Sequence, residues 1–465
     1  MKKKILALIL VLSTVLCLVL SSCKPASDED SPLTFYCFNE SDSLISALKQ
    51  YNKYCAVMER NEDRVEIVNF DSYEEYEAKL NTEVMAGGGP DILSLSQMLP
   101  FEKLIKNNSL ADINTIAQQC SKSFNFDDYN SVVMDSGVFS GKRYILPLYY
   151  GLDYLVTSTE RLEHFGLRLE NLTYDTLLED IKNKELEAYL VDPYDLGKRF
   201  YYSFIRQFID VEKGTTDFES EEFRVLAEDF KTAIIGDSFE NFENYDPNDQ
   251  ERKEYLFDGY DFSGRAGAFP VYARDFMHIN GNVIRLTVDG KAETDTLFFP
   301  NYSRKGEPSA TVEIGLAINA NCKKSEKVMR LIEYLLSFEA QSYFCGGRES
   351  DNAYAGQGFL PVNKEVYEAS YNNALKIKID VDQNFEMDEF DEKIFEAKNK
   401  ALSEYYKPLA DSITTCSIND MENQMSTYLV RNVIKDIVEP YLKSEITTDK
   451  FIQRLTDAVN MYLSE

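Results

Sequence analysis

Two short runs rich in apolar and aromatic residues, Leu33 to Phe38 (LTFYCF) and Arg64 to Phe70 (RVEIVNF), have the length and content of strands. Between and after them the apolar spacing lengthens to the helical period. Ser41 or Asp42 starts a predicted helix to about Tyr54, and Asp71 or Ser72 starts a second with Tyr73, Tyr76, Leu80 and Val84 on one face. That helix ends at Ala86, before Gly87, Gly88, Gly89 and Pro90. Glycine accepts the positive φ of a helix end, and proline cannot continue a helix. Asp91 to Leu95 is then a short buried strand. The order is βαβαβ, and parallel strands require such crossovers, so the opening third predicts a doubly wound α/β sheet. Ligands of open α/β sheets sit at the carboxyl ends of the strands. Those ends carry Phe38, Asn39, Glu40 and Ser41 at the first strand, and Leu95, Ser96 and Gln97 after the third.

Further along, Phe101 to Asp135 reads as helices and loops. Gly141 to Leu167 holds two apolar strand-like runs with polar breaks. Glu170 to Ile235 is mainly helical, and 236–250 is an acidic loop followed by a short helix from Glu254 to Tyr260. Arg265 to Tyr272 is a strand and turn, Leu297 to Ile318 holds two strands, and Ser325 to Phe344 is one amphipathic helix. Gly358 to Asn363 (GFLPVN) is a loop. The tail is helical, its last helix capped by Thr448 or Asp449.

The first residues change the picture. Lys2 to Lys4 precede a 16-residue apolar core from Ile5 to Leu20, then Ser21, Ser22 and Cys23. A basic start, an apolar core and small residues before a cut make an export signal. Leu20-Ser21-Ser22-Cys23 resembles the lipobox of bacterial lipoproteins, which implies cleavage before Cys23 and lipid on its sulfur. Residues 23–31 then form a tether. Formal charge is −30, and removing residues 1–22 takes three lysines and no acid, leaving −33. A surface this acidic repels phosphate backbones and excludes nucleic acid as a partner.

The chemical palette is narrow. The chain has two histidines, His164 and His278, no tryptophan, and no metalloprotease or serine-hydrolase motif. Cys37, Cys55, Cys120, Cys322, Cys345 and Cys416 are far apart without a C-x-x-C pair, so zinc spacing is absent and disulfide pairing is open. Asp380, Asp382 and Asn384 echo a calcium loop but lack glycine at the sixth position and glutamate at the last. No metal, cofactor or catalytic group is expected. Aromatics are plentiful, with 30 Tyr and 29 Phe. A tyrosine face packs on a sugar's C–H face while its hydroxyl stays bonded. Tyr149 and Tyr150, Tyr194 and Tyr272 stand out because each follows a proline at a strand end or loop.

Several segments in order carry a resemblance: the lipobox, GGGPDIL after an amphipathic helix, GKRYILPLYYGLDYLVTSTERLEHFGL, RAGAFPVY, FFPNYSRKGEPSATVEIGLAINANCKKSEKVMRLIEYLLS, and GFLPVN. Together they resemble family 1 extracellular solute-binding proteins, the maltose-binding-protein-like binding components of ABC importers. The resemblance implies a two-lobe periplasmic-binding-protein-like α/β fold, each lobe a sheet flanked by helices, joined by a hinge of crossing strands. One lobe would be 32–148 plus 269–318 and the other 152–268 plus 319–465. First-lobe contacts fall on Asn39, Glu40, Ser41, Leu95, Ser96 and Gln97; Tyr149, Tyr150 and Asp153 fall at the hinge; Asp192, Tyr194 and Tyr272 fall on the facing side. It implies a monomeric, lipid-anchored binder on the outer face of the membrane that closes on a sugar or oligosaccharide and delivers it to a permease. Two other readings stay open: a cationic solute such as a polyamine, favoured by the charge with Glu40, Asp153 and Asp192, or a surface hydrolase or sensory lipoprotein.

Overall fold

The computed structural model describes residues 31–38, 40, 42–95, 101–120, 126–159, 173, 175–176, 179–180, 205–210, 213–235, 269–273, 296–300, 307–344, 359–376, 389–418 and 436–464. The export signal, Cys23, both histidines, Cys345 and the segment 236–260 lie outside these residues. Five cysteines are described, and all are free thiols.

The chain opens with β1 (Leu33–Cys37), α1 (Asp42–Val57), β2 (Val65–Asn69), α2 (Tyr73–Met85) and β3 (Ile92–Ser94), the expected βαβαβ. After α3 (Ile113–Gln119) comes β4 (Ile145–Ser158), and then α4 (Glu221–Ile235), β5 (Phe269–Ala273), β6 (Thr296–Pro300) and β7 (Ser309–Ile318). The last part holds α5 (Ser325–Leu335), α6 (Phe338–Phe344), β8 (Leu360–Pro361), α7 (Lys364–Ala374), α8 (Glu389–Lys400), β9 (Thr415–Ile418) and α9 (Thr448–Ser464).

The local causes are visible. Ser72 caps α2 by accepting from the Glu75 amide at 3.1 Å. The helix ends where Gly87 turns to φ +78 and the Gly88 amide reaches the Glu83 carbonyl at 2.8 Å. The last helix is capped one residue before the expected position: Thr447 Oγ1 accepts from the Lys450 amide at 3.3 Å.

The described strands form one main sheet in the order β6-β4-β7-β3-β1-β2, with β5 and β8 also on β4 and β9 also on β7. β1 pairs in parallel with β2 and β3, while β7 is antiparallel to both β3 and β4. Two expectations change here. The segment after Gly141 is one 14-residue strand rather than two runs. Its polar breaks do not interrupt it because its first half pairs with β7 and β8 and its second half with β5 and β6. GFLPVN is no free loop either, because Leu360 and Pro361 pair with Tyr150 and Tyr149.

The expected helix 325–344 breaks at Leu336–Ser337, where Gln341, fully buried, donates to the carbonyls of Leu335 (3.0 Å) and Leu148 (3.1 Å). Asn363 completes the junction by donating to the Leu336 carbonyl and accepting from the first amides of α7.

Packing draws several elements after β7 onto the opening sheet. Val328, Leu331, Ile332 and Leu335 of α5, and Leu402, Tyr406 and Ile418, share one core with Phe35, Leu48 and Leu93 of the opening sheet. The cause is the apolar stripe of α5, which faces α1 and α3. The described residues of 319–344, 359–376 and 389–418 therefore contribute to the core of the opening sheet. A second group of buried residues lies outside that cluster: Phe218, Phe223 and Phe230, with Tyr441, Phe451 and Leu455. Tyr441 stacks on Phe451 at 4.2 Å, and Phe223 packs on Phe218 at 5.0 Å.

Candidate solute-binding cleft

The glycine turn that ends α2 is a structural lock. The Asn319 side chain, at the exit of β7, donates to the carbonyls of Gly88 (2.8 Å) and Pro90 (3.0 Å). A Cβ on Gly89 would lie 3.2 Å from the Val84 side chain, and its φ is +95. Next to it Asp91 accepts from the Thr34 amide and hydroxyl and from Lys324, all within 3.0 Å. These contacts hold the amino ends of β1 and β3, opposite the crevice.

The carboxyl ends of β1 and β2 carry a chain of aromatic rings. Tyr36 meets Phe70 at 5.3 Å, Phe70 meets Tyr76 at 5.7 Å, Tyr76 meets Tyr73 at 6.3 Å, and Tyr73 meets Phe38 edge-on at 6.3 Å. Within it Tyr76 is buried, and its neighbour Tyr73 is 38% exposed. Tyr73 opens α2, so the amino end of that helix also faces this edge. Glu40 stands beside the rings. Burial first, and then the Glu40 charge, push the Cys37 thiol up to about 11. Burial, with Tyr73 and Glu40 adding, raises the Tyr76 phenol well above its ordinary value. Tyr36 rises to about 12 through burial and its 2.9 Å hydrogen bond to Glu83.

Leu95, Tyr149 and Tyr150 of the expected contact set are buried in this conformation. They are 2%, 4% and 1% exposed and present no surface to a solute in this conformation. Tyr149 donates to the Ala340 carbonyl at 3.5 Å, and the Tyr150 hydroxyl accepts from Asn130 at 3.4 Å. The reason is the strand's environment: at these two residues β4 has β7 on one edge and β8 on the other. Glu40 is half-buried at the carboxyl edge. Asp153 of β4 stands in register with Tyr272 of β5, so the backbone brings these two expected residues together. Asn39, Ser41, Ser96, Gln97, Asp192 and Tyr194 lie outside the described residues.

Two residues, Tyr73 and Glu313, escaped the sequence reading of the crevice. Phe38 is legible at the crevice edge, whereas Tyr73 is legible only as a helix-face position; the signal for it is that it follows the carboxyl end of a parallel strand. Glu313 lies on β7, beside the crossing strand β4. The β4–β7 register shifts between Val312 and Ile314, so Glu313 occupies a bulge opposite Tyr149, Tyr150 and Gly151. No pattern in the sequence announces a bulge.

Among the described residues, no group of three or more His, Cys, Asp or Glu side chains could hold a metal ion, and no helix is long and apolar enough to cross a membrane.

A carboxyl-edge crevice beside a long crossing strand, with two separate cores, defines a two-lobe binding fold. The chain belongs to the bacterial extracellular solute-binding protein family, whose model matches residues 47–379. Membership places it on the extracytoplasmic side of the membrane and in a class of binders rather than enzymes. Solved structures agree on the fold. The sugar-binding protein MalE from Xanthomonas citri superposes with a TM-score of 0.56 at 14% identity, over 93% of this chain and 98% of that one. An ABC substrate-binding protein from Listeria monocytogenes in complex with cycloalternan gives 0.50 at 14% identity, over 94% and 99%. An ABC transporter solute-binding protein from Thermotoga lettingae TMO bound with alpha-D-tagatose gives 0.50 at 16%, over 93% and 100%. No curated protein sequence matches the chain.

Proposed function

We propose that this protein captures a small neutral solute, a sugar or oligosaccharide, in the cleft between its lobes and delivers it to an ABC permease. The aromatic edge at Phe38 and Tyr73 carries the reading, because a half-buried and a 38% exposed ring at the carboxyl ends of β1 and β2 suit the C–H faces of a polyol. Glu40, Asn39, Ser41, Ser96 and Gln97 bond hydroxyls from the first lobe, Asp153 and Tyr272 from the crossing strands, and Asp192 and Tyr194 from the facing lobe. Contacts to both lobes stabilise only the closed form, so the solute shifts the open–closed equilibrium. Lipid on Cys23, through the tether 24–31, keeps the monomer at the outer membrane face beside the permease. The solved neighbours that carry cycloalternan and tagatose support the substrate class.

A cationic solute such as a polyamine is the second reading. The net charge and the position of Glu40 against the rings favour it, since a cation over an aromatic face is attracted by the ring quadrupole. A thermal-shift screen of the chain from Asp28 onward, with saccharides, polyamines and amino acids, tests both. A ligand that binds only the folded state raises Tm by mass action. A shift with neutral saccharides, insensitive to salt, is expected. A shift with polyamines that collapses between low and high salt moves the assignment to the cation. The absence of any shift across the panel overturns the transport reading.

A further inference from the structure

The chain enters the described fold at Ser31, at the amino ends of the strands and opposite the aromatic crevice. One ammonium, Lys327 Nζ, donates there to the Ser31 carbonyl at 3.0 Å and to the Glu62 carbonyl at 2.7 Å. The Leu33 amide meets the Arg64 carbonyl at 2.9 Å. Ser31 is therefore pinned beside the turn that joins α1 to β2. Cys23 precedes Ser31 by eight residues, a reach of at most roughly 28 Å at full extension.

The same edge exposes apolar side chains on a fixed turn. α1 closes here, with the Arg60 amide on the Cys55 carbonyl at 2.8 Å across Glu59 at φ +58. Tyr54 and Val57 of its last turn, and Met58 just after it, are 41%, 80% and 46% exposed. Their i, i+3, i+4 spacing puts them on one face. The Tyr54 ring rests against Tyr334 at 5.3 Å. Apolar residues scattered singly over a surface need no explanation, but these three stand together where the chain enters the fold.

Charge separates the two edges. Around the crevice, residues 69–77 hold Asp71, Glu74, Glu75 and Glu77 without a base, and Glu40 stands on the same edge. At the entry edge, exposed Lys53, Arg60 and Arg64 offset exposed Glu59 and Glu62. An anionic bilayer therefore repels the crevice edge and admits the entry edge.

We propose that the entry edge, at Tyr54, Val57 and Met58, is an interaction surface for the lipid bilayer, an inference that rests on the lipid at Cys23 proposed above. Val57 and Met58 enter the headgroup boundary, Tyr54 lies at its level with the hydroxyl in water, and Lys53, Arg60 and Arg64 meet lipid phosphates. Three side chains are too few to hold a free protein on a membrane. The short tether makes the contact intramolecular and raises its effective concentration. The crevice, at the other ends of the strands, then faces the medium, the orientation in which solute is captured.

The chain contains no tryptophan, so one introduced indole reports on its own position alone. Val57→Trp and Met58→Trp, each in the full chain made in a lipidating host, are reconstituted on vesicles of phosphatidylcholine and phosphatidylglycerol in equal parts, with brominated acyl chains. Both variants are expected to lose about half their emission or more, as insertion to the headgroup boundary requires. Tyr73→Trp at the crevice and Val225→Trp on α4, where Val225 is 45% exposed, should keep theirs. Vesicle flotation of the same samples separates the anchor from the contact. Chain that does not float overturns the lipid anchor and this proposal with it. Chain that floats without quenching at either position overturns the proposal and leaves the anchor standing. Quenching at Tyr73→Trp instead would put the crevice edge on the bilayer, and an emission shift that needs no vesicles and grows with protein concentration would assign the patch to a second copy; either result overturns the proposal.

Discussion

Glu313 bulges from β7 against Gly151 of β4: a methyl group on Gly151 would sit 3.1 Å from Glu313 Oε1 and 3.5 Å from its Cγ. The two residues mark the point where β4 passes from its pairing with β7 and β8 to its pairing with β5 and β6. A bulge raises local twist and leaves one residue unpaired, so it is a natural place for a crossing strand to bend. Gly151→Ala should therefore cost little stability, below about 1.5 kcal/mol, because the flexible carboxylate can move aside. Its effect should fall on solute affinity, through the open–closed balance. Adding Glu313→Ala should restore the affinity, and the double-mutant cycle reads the coupling directly. Independent, additive effects would sever the link between this bulge and closure.

Tyr73 offers a test of the aromatic edge with little confounding from the fold. Its ring is 38% exposed, whereas Tyr76 behind it is 1% exposed. Tyr73→Ala should lower solute affinity by roughly 1–1.5 kcal/mol, about the value of one aromatic contact, with Tm nearly unchanged. Tyr76→Ala should instead lower Tm strongly, by a core-cavity cost of about 3–5 kcal/mol. Equal effects of Tyr73→Ala on Tm and affinity would make the ring a packing group.

How much of this was legible beforehand depended on range. The βαβαβ opening was readable because Ser72, Gly87 and the strand runs act locally, within a few residues of the elements they start or stop. The carboxyl-edge crevice followed from that order alone. The burial of Tyr149 and Tyr150 was not readable, because a strand end and a strand interior look alike until Leu360 and Pro361 pair alongside. The packing of α5 on α1 and α3 was hidden for the same reason: an amphipathic stripe says that a helix is half-buried, not against what. The bulge at Glu313 is a mismatch between two distant strands and leaves no mark in either one.

Arg330 and Asp63 join α5 to the chain entering β2 by a two-pronged ion pair, with the Asp63 side chain almost fully buried. Removing one partner of a buried pair leaves an uncompensated charge, which costs about 3–5 kcal/mol. Arg330→Ala is expected to fall in that range by urea denaturation. Replacing both, as Asp63→Asn with Arg330→Met, should recover most of the loss, because no buried charge remains. A double variant as unstable as Arg330→Ala would show that packing, rather than the charge, sets the cost.

Lys398 supplies a test by pH. Its side chain is fully buried, its amine donates to the Ala374 carbonyl at the end of α7 at 2.8 Å, and it lies 4.5 Å from the centre of the Phe395 ring. Burial lowers its pKa to about 8, from the ordinary lysine value of 10.5. A lysine with a depressed folded value binds fewer protons in the native state than in the unfolded one, so it destabilises the fold while charged. That burden is fully present below pH 8 and lifts as pH rises to 10.5, where both states are neutral. Other buried thiols and phenols titrate in the same window, so the comparison must be with Lys398→Met, which lacks the titration and keeps the volume. Between pH 7.5 and 10.5 the native protein should gain on Lys398→Met by on the order of 3 kcal/mol in urea-unfolding free energy. A difference that stays constant with pH would mean that the carbonyl and the ring hold the ammonium as well as water does.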